Sequence, residues 1–266
     1  MKTGGIELGG TKTVYGYKDD QGNMERHSIP TTDPDTVLLT ICDYFQEKEV
    51  ERIGIASFGP IDLASTTITT TPKPGWSNVC LKDYFNKWDI TVDTDVNGAC
   101  LGEVRHGAGK GYNSVVYGTI GTGIGFGVYK DGRLLVAEGG HQLITRRADD
   151  HIPSVCPYHD HCMEGLASGP AMQQHWGIPA EKITDENPWQ LEAYYLGQGI
   201  TNIAMMYFPE VVILGGGVMH HKGLLELVKE EVRKGINGYI PVPQIVLPAL
   251  ADDAGLIGAF ELAERE

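Results

Sequence analysis

The chain has 266 residues, 41% of them hydrophobic, and a formal net charge of −14. That size and apolar share suffice for a substantial core, in two modest domains or one large one, while the negative charge argues against nucleic acid and anionic membranes as partners. No segment approaches the ~18 continuous apolar residues of a membrane span, the opening MKTGGIELGG carries no basic-then-apolar leader, and five cysteines do not make a disulfide framework. A cytosolic protein with reduced thiols is expected.

In chain order, the first signal is GIELGGTKTVYGYKDDQG at residues 5 to 22: an apolar run, a turn at Gly9, Gly10 and Thr11, an alternating run, then a second turn at Asp20 to Gly22. Helical periodicity follows over Thr36 to Glu47, a short buried strand over Arg52 to Ala56, and a strand over Ile90 to Asp93 leading into a helix from Val96 to about Arg105. VVYGTIGTGIGFGVYKDG at residues 115 to 132 repeats the opening order, with its turn at Gly121, Thr122 and Gly123. A long buried helix over Trp189 to Phe208 precedes Pro209. An apolar strand over Val211 to Leu214 then stops at Gly215, Gly216 and Gly217. Next come an amphipathic helix over Gly223 to Val232, a strand over Gln244 to Leu247 and a last helix over Ala254 to Ala263. The pattern is α/β and duplicated, with a boundary expected in the glycine-rich Gly107 to Tyr112. This divides residues 1–110 from 111–253, and the last helix, 254–266, is expected to cross back onto the first half. Duplicated domains commonly bind a ligand in the cleft between them.

A glycine turn lets backbone amides approach phosphate oxygens, and the Thr11 and Thr122 hydroxyls can add donors. Glycines at hairpin tips also serve positive φ alone, but two matched tips favour phosphate. Phe126 stands where a dinucleotide fingerprint needs its third glycine, and neither Lys12 nor Lys110 sits in a P-loop pattern. Asp95, in DTDVNGACLGE, is expected at a helix N-terminus. There a carboxylate can orient and deprotonate an attacking hydroxyl, or simply cap the helix.

The stretch from His141 to Gly165 holds four of the nine histidines and two of the five cysteines. His141, then Cys156, His159 and Cys162 at intervals of three, have the look of ligand spacing. The other cysteines, Cys42, Cys80 and Cys100, read as small apolar packing residues, and His151 and His161 as exposed loop histidines.

Eight motifs in order, ELGGTK (7–12), FGPID (58–62), TPKPGW (71–76), DTDVNGACLGE (93–103), TIGTGIG (119–125), EGGH (138–141), CPYHDHCMEGLASGPA (156–171) and LGGGV (214–218), resemble the ROK family of sugar kinases, and within it the bacterial ATP-dependent fructokinases. The resemblance implies a duplicated actin-like, hexokinase-like (ribonuclease H-like) α/β fold with a cleft between its domains. It assigns Glu7, Gly9, Gly10, Thr11 and Lys12 to a first phosphate loop, with Glu7 where many relatives have aspartate. Thr119, Gly121, Thr122 and Gly123 fall to a second loop, and Gly215, Gly216 and Gly217 to a turn against the adenosine. Asp95 becomes the catalytic base, Asn78, Glu138 and His141 sugar contacts, and Gly59 and Pro60 the pocket wall. His141, Cys156, His159 and Cys162 become ligands of one structural Zn²⁺. Two thiolates and two imidazoles suit tetrahedral zinc and leave no open position for a catalytic water.

The implied reaction is transfer of the ATP γ-phosphoryl group to the 6-hydroxyl of fructose, with Mg²⁺, ATP and the sugar as partners, in a homodimer. Glucose, mannose or an N-acetylhexosamine are alternative acceptors, and a non-catalytic sugar sensor is the alternative outside enzymes. The repressors of the family carry an N-terminal DNA-binding domain, for which the loop at Glu7 leaves no room. Compared with the fructokinase branch the chain is shorter after Ile61 and before Glu138, which bears on sugar identity more than on reaction class.

Overall fold

The computed structural model describes residues 1–71 and 73–265; Pro72 of TPKPGW and the terminal Glu266 lie outside the described residues. Packing divides the chain into two compact units, Met1–Lys110 with Leu250–Glu266, and Gly111–Ala249.

The first unit opens with β1 (Thr3–Leu8), β2 (Lys12–Lys18) and β3 (Met24–Pro30), an antiparallel meander. Helix α1 (Pro34–Glu47) starts where the Asp33 side chain accepts the amides of Asp35 and Thr36, and it buries Val37, Leu38, Ile41 and Phe45. Strand β4 (Arg52–Ser57) pairs parallel with β1. A small antiparallel sheet of β5 (Ile61–Asp62), β6 (Thr67–Ile68) and β7 (Val79–Cys80) follows, then the short α2 (Leu81–Tyr84). β8 (Asp89–Thr94) pairs parallel with β4 and runs into α3 (Asp95–His106).

The second unit repeats the plan. β9 (Ser114–Ile120), β10 (Ile124–Lys130) and β11 (Arg133–Leu135) form an antiparallel meander. Two short helices, α4 (Met163–Ala167) and α5 (Gly169–Trp176), precede the long α6 (Glu186–Tyr207). β12 (Val211–Gly215) pairs parallel with β9, and β13 (Gln244–Val246) parallel with β12. Between them α7 (Leu224–Ile236) buries Leu224, Val228, Val232 and Ile236, one stripe at four-residue spacing. The chain ends in α8 (Ala254–Ala263), which belongs to the first unit and packs on α3, β1 and β4.

Each unit therefore holds a five-stranded sheet of the same order, β3-β2-β1-β4-β8 and β11-β10-β9-β12-β13, with the same alternation of antiparallel and parallel pairs. This is the duplicated α/β architecture of the actin-like, hexokinase-like class. Each unit has its own apolar core, around Leu38, Phe45, Ile53 and Trp76 in one and Phe126, Trp189, Leu196 and Ile213 in the other. Among the described residues no helix is long and apolar enough to cross a membrane.

The differences from the sequence reading lie mostly at element ends. Helix α6 begins three residues before Trp189 and ends at Tyr207, with Phe208 capping it in a left-handed conformation (φ 49°). α7 runs on to Ile236, four residues past Val232, and β13 stops at Val246, leaving Leu247 exposed. Cys100 is buried as expected of a small packing residue, but Cys42 and Cys80 are only half-buried. The Cys42 thiol faces the Tyr84 carbonyl at 3.4 Å.

Candidate active site

In the first unit the β1–β2 turn carries Gly9, Gly10, Thr11 and Lys12, the last three exposed. The turn is held from behind by Thr31, whose hydroxyl donates to the Gly9 carbonyl at 2.7 Å and whose amide donates to the Thr11 carbonyl at 3.0 Å. The Thr31 hydroxyl also meets that of buried Thr13 at 2.8 Å. Two of the turn's carbonyls are thus held from behind in a fixed frame, and Gly10, Thr11 and Lys12 stay exposed on it. Nothing in the motif ELGGTK signals Thr31, because it arrives from the end of β3.

At the β8–α3 junction Thr94, not Asp95, is the helix cap: its hydroxyl accepts the Asn97 amide at 3.2 Å. Buried Asp93 pins the same junction by accepting from Asn97 Nδ2 at 2.7 Å and the Thr94 amide at 2.8 Å. Asp95 is the first helical residue, half-buried, and one of its oxygens accepts the Val96 amide at 2.8 Å. Its charge acts on Glu7 of β1. Burial first and Asp95 second push the Glu7 carboxyl up to about 7, against the opposing pull of Lys12 and Arg26.

Gly59, Pro60 and Asn78 converge on β6 and the residue after it. The Pro60 carbonyl accepts the Thr69 amide at 2.9 Å, and the Asn78 amide donates to the Ile68 carbonyl at 2.7 Å. Trp76, fully buried, fixes the intervening loop through an indole donation to the Thr32 carbonyl at 2.7 Å and an edge contact with Phe58.

In the second unit the β9–β10 turn holds Gly121, Thr122 and Gly123, with Thr119 in the last residues of β9. It is tied to the start of α5 by donation from the Gly169 amide to the Gly121 carbonyl at 2.8 Å. Gly216 follows β12 with φ 91°. A cavity of about 790 Å³ opens there, lined by Gly121, Thr122, Gly217, Gln173, Trp189 and His221 among others. Trp189 and His221 stack face to face, 3.7 Å between ring centroids and 7° between planes, and give that cavity a flat aromatic wall. The sequence reading assigned neither ring.

The turn Glu138 to His141 lies against β10. Gly140 approaches so closely that a Cβ there would stand 1.7 Å from the Ile124 carbonyl oxygen, so no other residue fits. The His141 amide donates to the Glu138 carbonyl at 3.1 Å. His141, Cys156, His159 and Cys162 offer ligand atoms that all lie within 4.8 Å of one another. His141 Nδ1 is 3.7 Å from Cys156 Sγ and 3.8 Å from Cys162 Sγ, and His159 Nδ1 is 3.6 Å from Cys156 Sγ. Ordinary zinc–sulfur and zinc–nitrogen lengths put neighbouring N and S ligands of a tetrahedron about 3.6 Å apart, so these four residues fit a zinc ion. His151 and His161 are exposed and outside the cluster. The Gly165 amide donates to Cys162 Sγ at 3.3 Å, as metal-binding sulfurs commonly accept from backbone.

One residue in this region was missed although it stands inside a quoted motif. Glu164 accepts the Ile124 amide at 2.9 Å through one oxygen and holds the other 3.8 Å from His141 Nε2. His141 thus turns one ring nitrogen to the thiols and the other away from them.

The ROK family model matches residues 3–266, and the chain belongs to the ROK family. It is 38% identical to the fructokinase of Pediococcus pentosaceus, covering 99% of this chain and 98% of that one. It is 37% identical to the fructokinase of Lactococcus lactis subsp. cremoris, covering 98% and 96%. Those alignments run over 283 and 281 positions, more than the 266 residues here, so they hold gaps in this chain. The glucokinase of Streptomyces coelicolor is 26% identical over 98% and 97%. Among solved structures, the ROK hexokinase from Thermus thermophilus superposes with a TM-score of 0.85 at 27% identity over 99% and 98% of the two chains. A ROK family glucokinase from Streptomyces griseus, in complex with glucose and AMPPNP, gives 0.79 at 26% over the full length of both.

Proposed function

We propose that this chain transfers the γ-phosphoryl group of ATP to the 6-hydroxyl of fructose. The observation that carries the reading is the full-length similarity to fructokinases at 37–38%, against 26% for the glucokinase. The chain that bears it also keeps Asp95 at the start of α3, within electrostatic reach of Glu7.

Asp95 accepts the proton of the 6-hydroxyl as that oxygen attacks phosphorus; the bond from phosphorus to the bridging oxygen breaks and ADP leaves with the electron pair. The turns at Gly9–Thr11 and Thr119–Gly123 present backbone amides to phosphate oxygens, with Lys12 as a cation beside the first and Gly215–Gly217 against the adenosine. The aromatic wall of Trp189 and His221 supports the second assignment, since a flat stacked pair suits a planar base. Gly59, Pro60, Asn78, Glu138 and His141 hold the sugar. Mg²⁺, when bound, neutralises phosphate charge, and Glu7 would hold it through water.

Zinc, when bound, ties His141 to the loop from Cys156 to Cys162 and organises rather than reacts, since four protein ligands close the site. His141 serves both roles by using Nδ1 for the metal and presenting Nε2 on its other side, which keeps the turn bearing Glu138 in place. The reading extends to a cytoplasmic homodimer, following the family resemblance. It is tested by identifying the product: with fructose and Mg-ATP, phosphorus NMR and a coupled isomerase assay are expected to find fructose 6-phosphate. Fructose 1-phosphate, or phosphate released without sugar, contradicts it.

A further inference from the structure

Gly255 is the second residue of α8 and faces the end of β1. A Cβ built on it would stand 2.4 Å from Glu7 Cδ, 2.6 Å from Oε1 and 2.7 Å from Cγ. Its three nearest neighbours are all Glu7 atoms, so the Glu7 carboxyl occupies the space where any other residue's side chain would begin. The second Glu7 oxygen, Oε2, is buried and makes no hydrogen bond among the described residues. Four charges act on the carboxyl: Asp95 of α3 and Asp252 of the turn before α8 raise its pKa, and Lys12 of β2 and Arg26 of β3 lower it.

The other glycine of this face has a different reason to be glycine. At Gly258 a Cβ would lie 1.7 Å from the backbone carbonyl oxygen of Gly98, where nothing can give way. At Gly255 the three nearest atoms all belong to one flexible side chain, from Cγ outward. An added methyl would therefore be accommodated by the fold and would displace Glu7 instead. Alanine is also the better helix former, so α8 as a helix gains nothing from glycine here.

We propose that Gly255 is a positioning residue for the phosphoryl transfer: its missing side chain seats the Glu7 carboxyl against α8 beside Asp95. The proposal rests on the kinase reading above. Gly255→Ala is expected to fold with an unchanged or higher Tm. Its kcat with fructose should fall about 10- to 100-fold, as small misplacements in an active site do, while KM for fructose changes little. In a Glu7→Ala background the obstructing Cγ, Cδ and Oε1 are gone, so there Gly255→Ala should cost little further kcat. A Gly255→Ala protein with wild-type kcat overturns the proposal, and so does a fold-loss on top of Glu7→Ala as large as the one in the wild-type background.

A readout without turnover separates this proposal from the kinase reading. In protein labelled with ¹³C at glutamate side chains, with Glu7→Gln used for assignment, the Glu7 titration midpoint should move down in Gly255→Ala as the carboxyl leaves its buried seat. An unmoved midpoint rejects the proposal even if the wild-type protein phosphorylates no sugar. Conversely, absent turnover with a moved midpoint rejects the kinase reading alone.

Discussion

The Glu164 carboxylate stands between the cluster of two histidines and two cysteines and the β9–β10 turn: one oxygen lies 3.8 Å from His141 Nε2, the other accepts the Ile124 amide at 2.9 Å. Ile124 directly follows the Thr119–Gly123 turn, so the side chain joins the ring of a proposed metal ligand to the backbone of a proposed nucleotide loop. Replacing Glu164 with Ala leaves that amide unpartnered, at a cost of about 1–3 kcal/mol. Glu164→Ala is therefore expected to lower Tm and to raise KM for ATP, with Glu164→Gln, which keeps an acceptor, restoring Tm more than turnover. Steady-state kinetics and calorimetry check both.

Asp95 is set apart from helix capping by Thr94, which takes that duty. Its replacement by Asn is therefore expected to spare the fold. Removing a general base costs about 10²- to 10⁴-fold, so kcat of Asp95→Asn should fall within that range while fructose binding, measured by calorimetry, stays near wild type. Retained turnover would remove Asp95 from the mechanism.

The Glu7 carboxyl, pushed up to about 7 by burial and then by Asp95, makes a stability prediction. Its pKa in the folded protein is above the unfolded value of 4.5, so the folded state holds the proton more tightly. Stability from this group is full below about 4.5 and is lost as pH rises through about 7. Glu7→Gln removes that dependence. Relative to wild type, the variant is expected to gain stability as pH rises from about 4.5 to 7.5, by at most about 3 kcal/mol. Denaturant melts at a series of pH values check the sign; a difference independent of pH contradicts the assignment.

Metal analysis addresses the cysteine and histidine cluster. Elemental analysis of chelator-washed protein is expected to find about one zinc per chain, lost in Cys156→Ser and Cys162→Ser. Strong chelation should lower Tm. Metal-free protein of unchanged Tm would sink the structural role.

Much of this was legible in the chain because each cue was local. The two hairpins showed as alternation around glycine tips, and the convergence of His141, Cys156, His159 and Cys162 showed as three such residues at intervals of three with His141 upstream. β3 was not legible: MERHSIP is exposed over nearly its whole length, so no buried face marks it, and pairing with β2 alone makes it a strand. The two-residue strands β5 to β7 are too short to carry a period. Thr31, Trp189 with His221, and Glu164 with Ile124 acquire their roles only when distant elements meet. Gly255 reads in the sequence as a weak helix position, and only the fold shows the Glu7 carboxyl lying on it.

The most direct test of the central claim is the initial rate of ADP formation with Mg-ATP and fructose, with glucose and mannose run alongside at matched concentrations. The account predicts rapid turnover with fructose, a clear preference for it over both aldoses, and loss of that rate in Asp95→Asn. A preference for glucose or mannose would contradict the acceptor, and no turnover with any hexose in folded, zinc-loaded protein would contradict the kinase itself.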